Sequence, residues 1–228
     1  MTDMMVGLLF VFLIMLMYFA LQVKTVPPGP DKKLSEILRQ LERTLKEQGV
    51  EVSIDTETGV LRLPDQLLFA SAETTIRDEG VIALHKLAKA LENIIPCYSY
   101  IEPPAKPPAS CPQDTYKIEL LYIEGHTDRT PIYKPPNILD NWDLSYLRAK
   151  NVRLEIAKVA PVLEQLRNAP LGATGSAPIL THVGHADKRP IPNAQNIDQN
   201  RRIDLRITMG NGHSAGVSEV NAALKVSP

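Results

Sequence analysis

Residues 116–128, YKIELLYIEGHTD, decide the fold expected for this chain. The run from Tyr116 to Glu124 is mostly apolar, which predicts a β-strand with a largely buried body. Glycine and polar residues follow at once, so Asp128 is expected to lie exposed in the loop where the strand ends. The remaining elements are predicted around this strand.

Segments on both sides alternate between strand and helix patterns. In chain order, the predicted elements are a hairpin over residues 50–64, a loop over 69–75, a helix over 78–95, the strand over 116–124, a helix over 141–165, and strands over 181–184 and 201–208. Pro161 is expected to kink or split the second helix. This order predicts an α+β sandwich, with helices on one face of a mixed sheet.

Composition and motifs exclude several classes of protein. The 228 residues carry 25 basic and 26 acidic side chains, so bulk positive charge does not drive nucleic-acid binding. A hydrophobic content of 44% excludes a disordered acidic chain. The sequence has no nucleophile elbow, phosphate loop or Cys-x-x-Cys motif, and we expect neither an enzyme, a cofactor nor a metal site. His182 and His185 lack a nearby thiolate, which favours ordinary surface or loop histidines over zinc ligands.

An uncharged segment near the N-terminus predicts a membrane anchor. Residues 4–21, MMVGLLFVFLIMLMYFAL, carry no charge over 18 positions. A helix of this length spans about 27 Å, enough to cross a bilayer core. A cleavable signal peptide is the alternative, but a basic leading segment and an Ala-x-Ala site are missing. We expect residues 1–23 to form a retained transmembrane helix.

The two cysteines indicate the compartment. Cys97 and Cys111 flank a proline-rich stretch, and a disulfide between them would stabilise the fold by about 3 kcal/mol through loop closure. Two free thiols are the alternative. A disulfide requires an oxidising compartment such as the periplasm. We therefore expect a single pass through a bacterial inner membrane, with a cytoplasmic N-terminus and a periplasmic C-terminal domain.

Residues 24–49 connect the predicted membrane helix to the predicted domain. Prolines in residues 25–30 indicate a stiff linker. The next segment, residues 32–48, predicts an amphipathic helix with its apolar stripe at Leu34, Ile37, Leu38, Leu41 and Leu45. Packing on its own domain and pairing with a second copy fit this stripe equally well. At the other end, residues 209–228 are expected to form a flexible tail.

Two polar sets could bind a small ligand together. Asp128 follows the apolar strand over residues 116–124, and the start of the second helix carries Asn141, Leu144, Ser145 and Arg148. A carboxylate beside an arginine and a helix N-terminus can hold a zwitterion, because each charge of the ligand finds an opposite partner. An ordinary surface Asp–Arg pair is the alternative. Residue types alone favour that second interpretation.

Four longer segments carry a family resemblance. They are LRLPDQLLFASAETTI (61–76), IEGHTD (123–128), NWDLSYLRAKNV (141–152) and NRRIDLRI (200–207). In this order they resemble the OmpA-like peptidoglycan-binding domain, over residues 50–208. The resemblance implies a βαβαββ-type sandwich that grips the diaminopimelate residue of the cell-wall stem peptide. It implies binding roles for Asp128, Asn141, Leu144, Arg148 and Arg202.

This chain departs from the family pattern in two places. Residues 129–140 are longer and proline-rich, and the segment between Cys97 and Cys111 resembles an insertion. Both are expected to reshape the rim of the ligand pocket.

Asp3 is the second candidate site. Its position at the edge of the apolar segment fits a helix cap in the headgroup region or an ion-carrying carboxylate, and position alone favours the cap. However, DMMVGLLFVF (3–12) resembles the membrane segment of MotB-type stator subunits, and most closely the ZorB group of the Zorya anti-phage system. This implies that Asp3 carries a proton or a sodium ion, in a homodimer inside a ring of MotA- or ZorA-type subunits.

The resemblance leaves alternatives open. A flagellar MotB-type stator subunit and a passive membrane-to-wall tether without ion flow remain candidates. The Leu34–Leu45 helix could plug the ion path or join two copies.

Overall fold

The computed structural model of the chain describes residues 2–23, 29–103, 106–112, 116–132, 138–192, 194 and 196–210. Most of the predicted tail, residues 211–228, and the linker at 24–28 lie outside this description. The helices are α1 (Thr2–Val23), α2 (Pro30–Glu47), α3 (Asp65–Leu68), α4 (Asp78–Ile94) and α5 (Asn141–Val159). The strands are β1 (Ser53–Asp55), β2 (Val60–Pro64), β3 (Tyr100–Ile101), β4 (Lys117–His126), β5 (Leu166–Arg167), β6 (Leu180–Gly184) and β7 (Arg202–Gly210).

The main sheet has five strands in the order β1-β2-β7-β4-β6. Its neighbours are antiparallel except for β4 and β6, which run parallel. The long strand β4 lies inside the sheet, between β7 and β6, and β7 pairs with it along its length. The predicted mixed α+β fold is confirmed. A second sheet of β3 and β5 and the one-turn helix α3 were not predicted, because each is too short to show a period.

Helices α2, α4 and α5 cover one face of the main sheet and share its core. Four of the five stripe residues on α2 are 0–1% exposed there, namely Ile37, Leu38, Leu41 and Leu45, and Leu34 is partly buried against the same core. Of the two alternatives for this helix, the structure therefore shows packing on its own domain. The packed domain therefore includes α2, a helix that was predicted to belong to the juxtamembrane segment at residues 24–49. Pairing or plugging through this stripe would require the helix to leave the core.

Two glycines let α5 approach the sheet closely. Gly125 on β4 lies opposite Gly184 on β6. A Cβ atom added to Gly125 would lie 2.0 Å from the carbonyl oxygen of Ser145, and one added to Gly184 would lie 2.5 Å from the amide nitrogen of Tyr146. No side chain larger than hydrogen fits at either position. The close approach places the first two turns of α5 directly beside the end of β4.

The insertion after α4 is held by covalent and ionic links. Cys97 and Cys111 form a disulfide with their Cα atoms 5.1 Å apart, which confirms the predicted pairing. Glu102 forms an ion pair with Arg167 on β5. As anticipated from Pro161, α5 ends at Val159 and a 3-10 turn follows.

The N-terminal helix α1 is described in part. Side chains are described for its residues 5–18, and all are exposed. Across the described portion of the chain, no helix has both the length and the apolar character that membrane crossing requires. The Asp3 side chain lies outside the described residues, so its ion-carrying role stays a prediction.

Candidate functional site

A cavity of about 330 Å³ opens where β4 ends and α5 begins. We call it the site cavity. Four of the five predicted binding residues line it, namely Asp128, Asn141, Leu144 and Arg148. Its volume lies within the usual range for small-molecule sites, about 300–1,000 Å³. The structure thus brings together the two polar sets that lie apart in the sequence.

Asp128 is buried, and the expectation of an exposed carboxylate is wrong. The residue is 5% exposed. Its Oδ1 accepts a hydrogen bond from the Thr130 amide at 2.7 Å, and its Oδ2 pairs with Nη1 of Arg201 at 2.9 Å. A buried charge needs such partners to offset its lost hydration. The loop therefore folds inward around Asp128 and fixes both carboxylate oxygens.

Asn141 holds the backbone of this loop. Its Nδ2 donates to the carbonyl oxygens of Asp128 and Thr130 at 3.2 and 3.1 Å. The α5 N-terminus is capped by Asp140, whose Oδ1 accepts from the amides of Trp142 and Asp143 at 2.8 and 3.0 Å. Because the cap uses these donors, the helix end adds less anion affinity than the sequence suggested.

Arg148 is almost completely buried and is held from several sides. Its Nε donates to Glu73 O at 2.7 Å and its Nη2 to Ala70 O at 3.0 Å. Its Nη1 lies 2.8 Å from Oδ1 of Asp65, and the guanidinium stacks 4.8 Å from the ring centre of Phe69. Burial lowers the pKa of Arg148, and the Asp65 charge opposes that shift. These contacts fix the guanidinium as a rigid cation in the cavity wall.

Sequence reasoning missed two charged residues of the cavity, Asp65 and Arg201. Burial raises the pKa of Asp65, although the neighbouring Arg148 opposes this effect. Arg201 reaches Asp128 and, through Nη2, Asp198 at 2.8 Å. Asp65 could have been found only from its tertiary partner, since nothing in its local sequence distinguishes it.

The predicted ligand residue Arg202 does not line the site cavity. Its Nε donates to Asp204 at 2.9 Å, and its amino groups donate to the carbonyl oxygens of Arg189 and Asn200 at 3.0 and 3.3 Å. Successive residues at a strand point to opposite sides. Only the first arginine of the Asn-Arg-Arg motif, Arg201, therefore reaches Asp128.

The assembled charges suit a zwitterionic ligand. Two carboxylates, Asp65 and Asp128, lie in one cavity with two guanidinium groups, Arg148 and Arg201. An ammonium group of a ligand can pair with the carboxylates while its carboxylate binds the guanidinium groups. The buried Thr127 hydroxyl also lines the cavity and has no hydrogen-bond partner among the described residues. It adds a polar contact for a ligand.

Behind the site lies a buried ionic network. Glu124, His126 and Asp204 place possible metal-ligand atoms within 4.8 Å of one another. Both carboxylates, however, already pair with guanidinium groups: Arg206 lies 2.8 Å from Glu124, and Arg202 lies 2.9 Å from Asp204. A divalent cation would compete with these positive charges, so we interpret the cluster as a network of ion pairs.

The network should make stability depend on acid pH. Burial alone would raise the pKa of Glu124, but His126 and Arg206 lower it from 4.5 to about 2. Because the folded value lies below the unfolded one, this stabilisation is present above pH 4.5 and is lost as the pH falls through about 2. We expect about 3 kcal/mol of unfolding free energy to disappear over that interval.

Urea unfolding of the full chain in detergent at several pH values between 7 and 2 measures this loss. In Glu124→Gln the pH-dependent part should be reduced by a similar amount. Glu119→Gln, an exposed change on the same strand, is the control and should keep the wild-type profile. Equal profiles for all three proteins would contradict the assignment to Glu124.

No protein-family model matches the chain. The chain is 26% identical over 183 residues to Motility protein B of Bacillus subtilis (strain 168), covering 77% of this chain. The match spans 56% of that protein, a little over half its length. The chain is therefore similar to Motility protein B over most of its own length.

Several solved structures are also similar. The cell wall anchor of the T6SS from Pseudomonas aeruginosa shows 24% identity and a TM-score of 0.46, covering 76% of this chain and 97% of that chain. A MotB-like protein from Desulfovibrio vulgaris shows 20% identity and a TM-score of 0.49, covering 78% and 92%. The periplasmic domain of Helicobacter pylori MotB shows 16% identity and a TM-score of 0.48, covering 74% and 87%.

Proposed function

We propose that the domain anchors the chain to peptidoglycan by binding the zwitterionic end of diaminopimelate in a stem peptide. The observation that carries this proposal is the joint placement of Asp128 and Arg148 in the site cavity, with Asp65 and Arg201 beside them. In the bound state the ligand ammonium replaces Nη1 of Arg201 as the partner of Asp128. The protein is a binding and anchoring protein rather than an enzyme.

Arg148 supplies the matching contact for the ligand carboxylate. A guanidinium has five N–H donors. Three of the donors in Arg148 are directed at Glu73, Ala70 and Asp65, which leaves two for a ligand. Arg201, released from Asp128, adds further donors. This arrangement binds an amino acid by both of its charges and disfavours a ligand that carries only one.

The anchored domain is, in this proposal, the fixed part of a stator subunit in an ion-driven motor of the inner membrane. The sequence similarity to Motility protein B supports it, as does the uncharged segment at residues 4–21 that follows Asp3. Residues 1–23 cross the membrane once, with the N-terminus in the cytoplasm and the domain in the periplasm. The Cys97–Cys111 disulfide suits that compartment.

The ion step is assigned to Asp3. Two copies of the chain lie inside a ring of multi-pass subunits of the MotA or ZorA type, and each Asp3 accepts and releases a proton or a sodium ion. One charge crossing a potential of 100 mV releases about 2.3 kcal/mol. Neutralising and recharging Asp3 changes its contacts with the ring and drives relative rotation, while the wall-bound domain provides the fixed point.

Two biological settings fit this motor. The DMMVGLLFVF segment favours Zorya-type anti-phage defence, and similarity to Motility protein B favours a flagellar motor. The two settings are supported about equally. A passive tether that binds the wall without ion flow is the candidate from a different class.

Removing the Asp3 charge tests the motor part of the proposal. We expect Asp3→Asn, expressed with the native neighbouring genes, to abolish phage protection or motility while the purified chain still sediments with peptidoglycan. Asp31→Asn removes an exposed carboxylate at the start of α2 and is the matched control. A fully active Asp3→Asn protein would favour the passive tether and refute the ion-carrying role.

A further inference from the structure

A second cavity, of about 430 Å³, adjoins the site cavity. It lies between the β1–β2 hairpin and the segment that leads into β7, and we call it the hairpin cavity. Arg62, Arg201 and Arg202 are part of its wall. Arg201 also lines the site cavity, so this residue borders both spaces.

Arg62, in the wall of the hairpin cavity, has amino groups that make no contact with an acceptor among the described residues. The buried carboxylate of Asp204 is shared by two arginines, since Nε of Arg62 lies 3.0 Å from one oxygen and Nε of Arg202 lies 2.9 Å from the other. The Arg202 amino groups donate to backbone carbonyls. Those of Arg62 contact no acceptor in the part of the chain that the structure describes, and its side chain is 25% exposed. One carboxylate thus serves two cations, and Arg62 presents free N–H groups to the cavity.

Binding of a ligand in the site cavity would also change the ion pairs of Arg201. Arg201 pairs with Asp128 on one side and with Asp198 on the other. When the ammonium of a ligand pairs with the Asp128 carboxylate, Arg201 loses one of its two carboxylate partners. Its free amino group and those of Arg62 then lie on the walls of one cavity, where a second negative group of the ligand can accept their hydrogen bonds.

We propose that the hairpin cavity is a second subsite, which binds a further carboxylate of the same peptide through Arg62 and Arg201. This inference rests on the proposed function. In a stem peptide, the residue linked to diaminopimelate is a γ-bonded glutamate. Its α-carboxylate takes no part in the peptide chain, so it is a negative group that remains whichever residue follows diaminopimelate. The subsite therefore distinguishes peptides with a free glutamate α-carboxylate from peptides in which that group is an amide.

The test compares two peptides that differ in that one group. Isothermal titration of the full chain in detergent uses γ-D-glutamyl-meso-diaminopimelate and its α-carboxamide analogue, with free meso-diaminopimelate as a reference. We expect the acid to bind on the order of tenfold more tightly than the amide, as for a hydrogen bond to a charged group. In Arg62→Gln this preference should fall severalfold, because Arg201 alone remains at the subsite, and the affinity for free meso-diaminopimelate should be unchanged.

A second variant tests the subsite with Arg62 in place, so its result does not depend on whether Arg62→Gln folds. Glu51 is exposed on the cavity wall, so Glu51→Lys should increase the preference for the acid severalfold. Glu57→Lys makes the same change on the exposed turn of the same hairpin, outside the wall, and should leave the preference unchanged. Binding of free meso-diaminopimelate with equal affinities for acid and amide would overturn the subsite alone. No binding of any of the three compounds would overturn the proposed function with it.

Discussion

Asp128→Asn is expected to weaken binding of diaminopimelate peptides by roughly two to three orders of magnitude. Asparagine keeps the shape of the side chain, and its Oδ1 can still accept from the Thr130 amide. The variant removes the charge that the ligand ammonium requires. Losing one partner of a buried, hydrogen-bonded charge pair costs about 2–5 kcal/mol of binding free energy, and the middle of that interval corresponds to two to three orders of magnitude in affinity.

Titration calorimetry with a stem-peptide fragment measures the effect. Asp187→Asn is the matched control, because Asp187 lies in the neighbouring loop and lines a different cavity that also contains Asp128. That control should bind within a few-fold of wild type. Wild-type affinity in Asp128→Asn would show that the ammonium does not bind there.

Arg148→Ala is expected to lower the free energy of unfolding by about 3–5 kcal/mol. Arg148 is 2% exposed, and its removal leaves the buried Asp65 carboxylate without its ion-pair partner. The carbonyl oxygens of Glu73 and Ala70 also lose their donors. Breaking a buried pair on one side is costly because the remaining charge stays desolvated. Urea unfolding measures the change.

Two further variants distinguish the buried pair from ordinary surface ion pairs. Arg153 lies on the same helix and pairs with Glu164, whose side chain is 47% exposed, so Arg153→Ala should cost about 1 kcal/mol or less. The double variant Asp65→Leu with Arg148→Met removes both charges and should be more stable than Arg148→Ala. A small loss in Arg148→Ala, equal to that in Arg153→Ala, would contradict this account.

The secondary structure of the domain was largely predictable from periodic patterns. The apolar run of β4, the alternation in β7 and the helical stripe of α4 each extend over enough residues to set a period, and each element lies within a few residues of its predicted bounds. Local propensity could not predict α3 or the β3–β5 pair, which are two to four residues long and depend on tertiary contacts.

The candidate site was predictable only in part, because four of its residues were expected and the charged residues Asp65 and Arg201 were not. The motif positions placed Asp128 and Arg148 in one cavity, as expected. The burial of Asp128 depends on Arg201, which lies 73 residues away in the sequence, and no local pattern reveals such a partner. The choice between Arg201 and Arg202 depends on which side of the sheet each residue faces. It could be made only once the register of β7 against β2 and β4 was known.

The proposed function requires the site cavity to bind both charged groups of one amino acid, its ammonium and its carboxylate. The most direct test is titration of the purified chain with two peptides that are identical except for meso-diaminopimelate in one and lysine in the other. Lysine keeps the distal ammonium and lacks the neighbouring carboxylate. The account predicts saturable binding of the diaminopimelate peptide and an affinity at least tenfold lower for the lysine peptide, since the contacts to Arg148 and Arg201 are lost. Equal affinities, or no binding of either peptide, would contradict it.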